Sequence, residues 1–234
     1  MNIEVTSFGG LLLHTSRGDF AVNGGGSLEA LELAYLASGE PPRGIILTSE
    51  HPRHSRNISA FANMHRIPVL ITLRTWAALR EHFRKPVLSW PLRTNEFAGL
   101  AIEYHFLCSD SREPTYLTLR DGEDTLGIVP DGRITPDSAP PLLECRTLFF
   151  DNLREKLLRS APPPPKAEKR SKPPKSPQDK LLAAIFGENV EKPKTSQELQ
   201  RRIKYFSNTA EEIRTICAGY TSVLIGNTMI CLKN

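Results

Sequence analysis

Between residues 3 and 22, short apolar runs alternate with turn-forming residues. Ile3-Glu4-Val5-Thr6, Leu11-Leu12-Leu13-His14 and Asp19-Phe20-Ala21-Val22 are separated by Gly9-Gly10 and Arg17-Gly18, a rhythm that predicts successive β-hairpins. The period then changes. After Gly24-Gly25-Gly26, residues Leu28, Leu31, Tyr35 and Leu36 recur at helical spacing and Ser27 stands where a cap is wanted, so 28–38 is predicted helical and Pro41-Pro42 ends it. Gly44-Ile45-Ile46-Leu47-Thr48 and Pro68-Val69-Leu70-Ile71-Thr72 are apolar up to their closing threonines, as strands buried on both faces are, and 55–64 between them carries a helical pattern. This alternation predicts a βαβ sheet with helices outside it. Tyr116–Arg120, Leu126–Val129 and Thr147–Phe150 supply three further predicted strands.

The pattern fails abruptly at 160–179, SAPPPPKAEKRSKPPKSPQD, which holds seven prolines and five basic residues without one large apolar side chain. Such a segment buries too little surface to offset the entropy of ordering it, so it is read as a linker. Beyond it, amphipathic helices are predicted at 179–186, 197–205 and 210–218, started by Asp179, Ser196 and Thr209, with Glu211 and Glu212 suiting the dipole of the third. Two short strands, 221–225 and 228–232, turn at Gly226-Asn227 and end the sequence. Three helices followed by a two-stranded ribbon resemble a winged helix in layout, without a diagnostic motif. The expected organisation is a body over 1–159, a linker over 160–179 and a small α+β domain over 180–234.

Charge follows the same division. Of 30 Lys/Arg and 26 Asp/Glu, 13 and 7 lie from Ser160 onward, a net of +6, which leaves 17 and 19, a net of −2, before it. A basic partner surface is therefore expected in the C-terminal part, with Arg201, Arg202, Lys204 and Arg214 as its residues. Glu211 and Glu212 at the head of the third helix would repel phosphate, so docking to a protein stands level with nucleic-acid binding. No apolar run approaches the roughly 18 residues of a membrane span, and the first residues lack a signal-peptide pattern; a cytoplasmic protein without membrane contact is expected. Cys108, Cys145, Cys217 and Cys231 include no Cys-x-x-Cys pair and are read as buried free thiols. The triple glycine lacks the spacing of a dinucleotide loop, and no phosphate-binding loop motif occurs.

Chemistry in parallel sheets sits at the carboxyl ends of strands, and the loop after Leu47 reads Thr48-Ser49-Glu50-His51-Pro52-Arg53-His54-Ser55. Here the chain resembles the metallo-β-lactamase superfamily, in particular the small bacterial metal-dependent hydrolases whose strand ends in T-H-x-H-x-D-H. The resemblance runs over about 1–155 and includes Val22-Asn23-Gly24, Ile67-Pro68-Val69, Asp121-Gly122 and Leu126-Gly127-Ile128-Val129-Pro130-Asp131, where the family has G-I-V-T-D. It implies an αββα sandwich and a two-metal site. Carried over position by position, His51, His54 and the bridging Asp131 remain, whereas Ser49 replaces the first motif His and Arg53 the Asp. Ser109 and Leu153 fall where two later His ligands are placed.

A catalytic zinc takes about three protein ligands and one open position, and on this alignment each half-site keeps one His and a shared Asp. Arg53 adds a permanent cation where an ion would need a carboxylate. The lost ligands thus point to a scaffold without catalysis or cofactor, and the basic C-terminal part to a binding or regulatory role in a nucleic-acid-associated assembly. The alternative is a residual phosphodiesterase or nuclease with one zinc or manganese ion on His51, His54 and Asp131. A ten-residue match of 179–188 to a segment of the bacterial RNA polymerase β subunit extends the first reading to association with transcription machinery, although an amphipathic helix with a Gly stop converges on such a string by chance.

Overall fold

The computed structural model describes residues 1–6, 8–37, 39–107, 115–130, 132–151, 208–225 and 228–233, with no side-chain placement for 222–228. Two sheets form the centre. The first has strands β1 (Asn2–Val5), β2 (Leu11–Thr15), β3 (Gly18–Val22), β4 (Gly44–Leu47), β5 (Val69–Thr72) and β6 (Pro86–Ser89), adjacent in that order. Its first three strands pair antiparallel and β3 to β6 parallel. The second sheet contains β7 (Thr94–Phe97), β8 (Leu100–Phe106), β9 (Thr115–Asp121), β10 (Asp124–Val129), β11 (Thr147–Phe150), β12 (Tyr220–Ile225) and β13 (Thr228–Lys233), ordered β12-β13-β11-β10-β9-β8-β7.

Side-chain alternation explains the layering. In β2, Leu11 and Leu13 face one way and Leu12 the other; in β4, Ile46 opposes Ile45 and Leu47. Leu11, Leu13, Phe20, Val22, Ile46 and Leu70 meet Leu100, Ile102, Tyr104, Leu117, Leu126, Ile128 and Phe149 of the other sheet in the central core. On its outer side the first sheet packs Leu12, Ile45, Leu47, Val69 and Ile71 against helices α1 (Leu28–Tyr35) and α3 (Ile58–His65) through Leu31, Tyr35, Ile58 and Phe61. The second sheet is covered by α5 (Pro140–Leu143) and α6 (Ala210–Ile216), with Leu142, Ile213 and Cys217 against Leu148, Phe150, Met229 and Cys231. Helix, sheet, sheet, helix is the αββα sandwich that the family resemblance implied.

The helix expected over 55–64 is divided. A short α2 (Pro52–Ser55) precedes α3, and Asn57 between them takes a left-handed backbone at φ 62°, which Asn tolerates better than most residues; its amide donates to the Gly26 carbonyl at 2.8 Å. A further helix, α4 (Leu73–Leu79), and strands β6 to β8 occupy 73–106, where no element was expected.

The separate winged-helix domain over 180–234 requires correction for the residues described. Strand β13 pairs antiparallel with β11 across Thr147–Phe150, β12 pairs with β13, and α6 shares one core with Val129, Ile134 and Leu142. The third helix and the hairpin form as local structure, but Ile213 and Cys217 of the helix and Met229 and Cys231 of β13 are buried in the body. The linker and the two predicted helices at 179–186 and 197–205 lie outside the described residues. Cys145, Cys217 and Cys231 are buried free thiols, as expected, and Cys108 is not among the residues described.

Candidate functional site

Strands β4, β10 and β11 end on the same side of the sandwich, where the motif loop after β4 faces Pro130 and Asp151. The loop is held from beneath by Asn23, whose side-chain oxygen accepts from the Thr48 N–H at 2.9 Å and hydroxyl at 3.0 Å. The buried Tyr35 hydroxyl donates to the Asn23 carbonyl at 3.0 Å, and burial pushes that phenol far above its usual range. Gly25 sets the height of α2. Its N–H donates to the Arg53 carbonyl at 2.8 Å, and a Cβ there would stand 2.1 Å from the Pro52 carbonyl oxygen and 2.7 Å from the Arg56 nitrogen. Only a glycine admits so close an approach.

Within this frame the four motif residues have separate tasks. Ser49 is buried, and its hydroxyl accepts from the His51 N–H at 3.1 Å. His51 is exposed and caps α2, its Nδ1 accepting from the Arg53 N–H at 3.4 Å. Arg53 points inward. Its Nε donates to His54 Nε2 at 3.1 Å, and one terminal nitrogen donates to the Pro130 carbonyl at 2.9 Å and to Asp151 Oδ2 at 3.1 Å. His54 is fully buried. Burial first, then the Arg53 and His51 charges, hold its imidazole well below the usual histidine range, so it is a neutral acceptor for the guanidinium with its proton on Nδ1.

The arrangement resolves part of the sequence expectation. The structure brings Arg53 and His54 together in one bonded unit and leaves His51 on the surface at the helix start. Asp131, Ser109, Leu153, Arg201, Arg202 and Lys204 lie outside the described residues. Arg214 is exposed in the last turn of α6, where a cation suits the helix dipole. Asp151 and the Pro130 carbonyl are site groups that the sequence does not single out. Their signal is position: both directly follow apolar strands, β10 and β11, that pair parallel to each other.

A divalent ion, which the family resemblance implies, can be tested against these donors. His54 Nε2 and the Asp151 carboxylate are each engaged by Arg53, whose fixed positive charge lies within hydrogen-bonding distance of both. Among the described residues no three His, Cys, Asp or Glu side chains are grouped so as to hold one ion. A second cation would face a guanidinium a few ångströms away in a partly buried setting, which is strongly unfavourable. The described residues do not fit a metal.

Neither a protein-family model nor a curated protein sequence matches the chain. Solved structures to which it is similar are metallo-β-lactamase fold proteins. The fold protein YhfI from Bacillus subtilis aligns at 18% identity and a TM-score of 0.48, over 60% of this chain and 60% of its own. Zn2+-bound PqqB from Methylobacterium extorquens aligns at 12% and 0.49 over 64% and 63%. A B3 metallo-β-lactamase with an active-site glutamic acid aligns at 16% and 0.48 over 88% and 85%. Among the described residues, no helix is long and apolar enough to cross a membrane.

Proposed function

We propose that this chain is a non-catalytic scaffold with the metallo-β-lactamase fold, acting as a binding or regulatory subunit of a nucleic-acid-associated assembly through the basic residues beyond Ser160. The observation that carries the reading is the engagement of His54 Nε2 and Asp151 by Arg53, because a metal-dependent hydrolase needs such donors free for its ion. The single-metal alternative on His51, His54 and Asp131 would have to displace that guanidinium from His54.

The net +6 charge from Ser160 onward is the composition feature that separates phosphate binding from docking to a purely protein partner. Strand β13 belongs to the second sheet, so the fragment 160–234 is not an independent unit and the full chain is the proper test material. Fluorescence anisotropy with duplex and single-stranded oligonucleotides should show affinity falling steeply with salt. The double change Arg201→Ala and Arg202→Ala should reduce the slope of log affinity against log salt by about one for each phosphate that is no longer neutralised. No binding at low ionic strength would remove nucleic acid from the proposal.

A further inference from the structure

Arg53 joins elements that are far apart in sequence. Its backbone belongs to α2, which follows β4 of the first sheet, whereas Pro130 and Asp151 end β10 and β11 of the second. The three acceptors on its guanidinium edge are chemically what a cation gathers: a neutral imidazole nitrogen, a carbonyl oxygen and a carboxylate oxygen. Their distances, 2.9 to 3.1 Å, are ordinary for charge-assisted hydrogen bonds, and the Asp151 charge balances that of Arg53. The Arg53 side chain is 29% exposed and that of Asp151 7%, so the pair is poorly screened.

Lysine would not serve in this place. An ammonium is a compact point charge, whereas the planar guanidinium presents N–H groups on two sides and reaches acceptors on both. The support beneath is rigid as well, because Gly25 clamps the backbone of α2 at the height from which the side chain enters.

We propose that Arg53 is the resident cation of this site: its guanidinium takes the place of a metal ion and ties the motif loop of the first sheet to the strand ends of the second. The role is structural, and it does not depend on the partner proposed above. Loss of the tie should loosen the site end of the sandwich, and a small soluble cation of the same shape should restore it.

Thermal unfolding of the full chain tests this with zinc chloride and methylguanidinium as probes. Arg53→Ala should lower the midpoint by about 6 to 20 °C, a shift of the size expected when one partner of a poorly solvated pair is removed from a chain of this length. Millimolar methylguanidinium should recover part of that loss and leave the wild-type midpoint unmoved. Arg53→Lys should fall below wild type without recovery, since its own cation remains. Wild type should show no zinc-dependent rise. An Arg53→Ala midpoint equal to wild type, a loss that methylguanidinium does not recover, or a wild-type midpoint raised by stoichiometric zinc would each overturn the proposal. If Arg53→Ala does not fold, the wild-type zinc titration and Arg53→Lys still decide it. Oligonucleotide binding has no part in these readouts, so failure here leaves the assembly reading to its own test.

Discussion

The side-chain amide of Asn208 pairs with the backbone of Ile134 in both directions, its oxygen accepting from the Ile134 N–H at 2.7 Å and its nitrogen donating to the Ile134 carbonyl at 3.1 Å. Asn208 is buried, and it fixes the chain just before α6, where Thr209 and Glu212 form a reciprocal cap. Asn208→Ala leaves two buried backbone groups unpaired. It should destabilise the protein by about 2 to 4 kcal/mol, at roughly 1 to 3 kcal/mol for each unsatisfied group softened by access of water. Urea unfolding with an unchanged slope is the measurement. A loss under about 0.5 kcal/mol would mean that the docking of α6 does not depend on this pair.

Integration of 208–233 into the body also changes what proteolysis should show. The composition of 160–179, with Lys166, Lys169, Arg170 and Lys175 each followed by a residue other than proline, predicts trypsin cuts there. Because β13 lies between β11 and β12, the two pieces should run apart on a denaturing gel yet elute together in gel filtration. Separation of the pieces under native conditions would contradict the strand order.

Gly25→Ala should be costly despite its small size. The new methyl group would lie 2.1 Å from the Pro52 carbonyl oxygen, a backbone atom that cannot swing aside, so α2 and Arg53 must shift with it. Overpacking of this kind costs about 1 to 3 kcal/mol, read as a lowered thermal midpoint. Gly39→Ala is the control for loss of a glycine at an uncrowded position: it has a positive φ of 85° but nothing within 4 Å of the added atom. It should cost less than Gly25→Ala.

The neutral His54 predicts a pH dependence. Its folded-state pKa lies well below the unfolded value of about 6.5, so the folded protein binds fewer protons than the unfolded chain once pH drops under that value. Its contribution to stability is complete above about pH 6.5 and is lost as pH falls toward the folded pKa, at up to about 1.4 kcal/mol per pH unit for one proton. His105, also held low chiefly by burial, adds a slope of the same sign. His54→Gln keeps an acceptor for Arg53 Nε and cannot titrate, so its stability should decline less between pH 6.5 and 5 than that of wild type. Equal slopes in the two proteins would place the proton uptake elsewhere.

Much of the sandwich is legible in the sequence because β4 is apolar throughout, β5 is apolar up to its closing threonine and β2 alternates, patterns that burial alone imposes. Strands β7 and β8 escape such a reading, although buried Leu100, Ile102 and Tyr104 alternate with half-buried Ala101, Glu103 and His105. Their hairpin turns at Ala98-Gly99 with both residues at positive φ, 49° and 92°, and Ala gives no sign of that conformation as Asn or Asp would. The C-terminal ribbon is recognisable as a ribbon, but a two-residue turn says nothing about which sheet edge it will join. At the site, the loop itself marks Ser49, His51, Arg53 and His54. From sequence Arg53 registers only as repelling an ion, because its partner Asp151 stands 98 residues away and no local pattern links them.

The most direct measurement is the metal content of the purified full chain after dialysis, by elemental analysis, beside the double variant Ser49→His and Arg53→Asp. With Arg53 as the resident cation, wild type should hold zinc and manganese far below one equivalent, and the double variant should hold more than wild type. Near-stoichiometric metal in wild type that survives dialysis and disappears on His51→Ala would contradict the account.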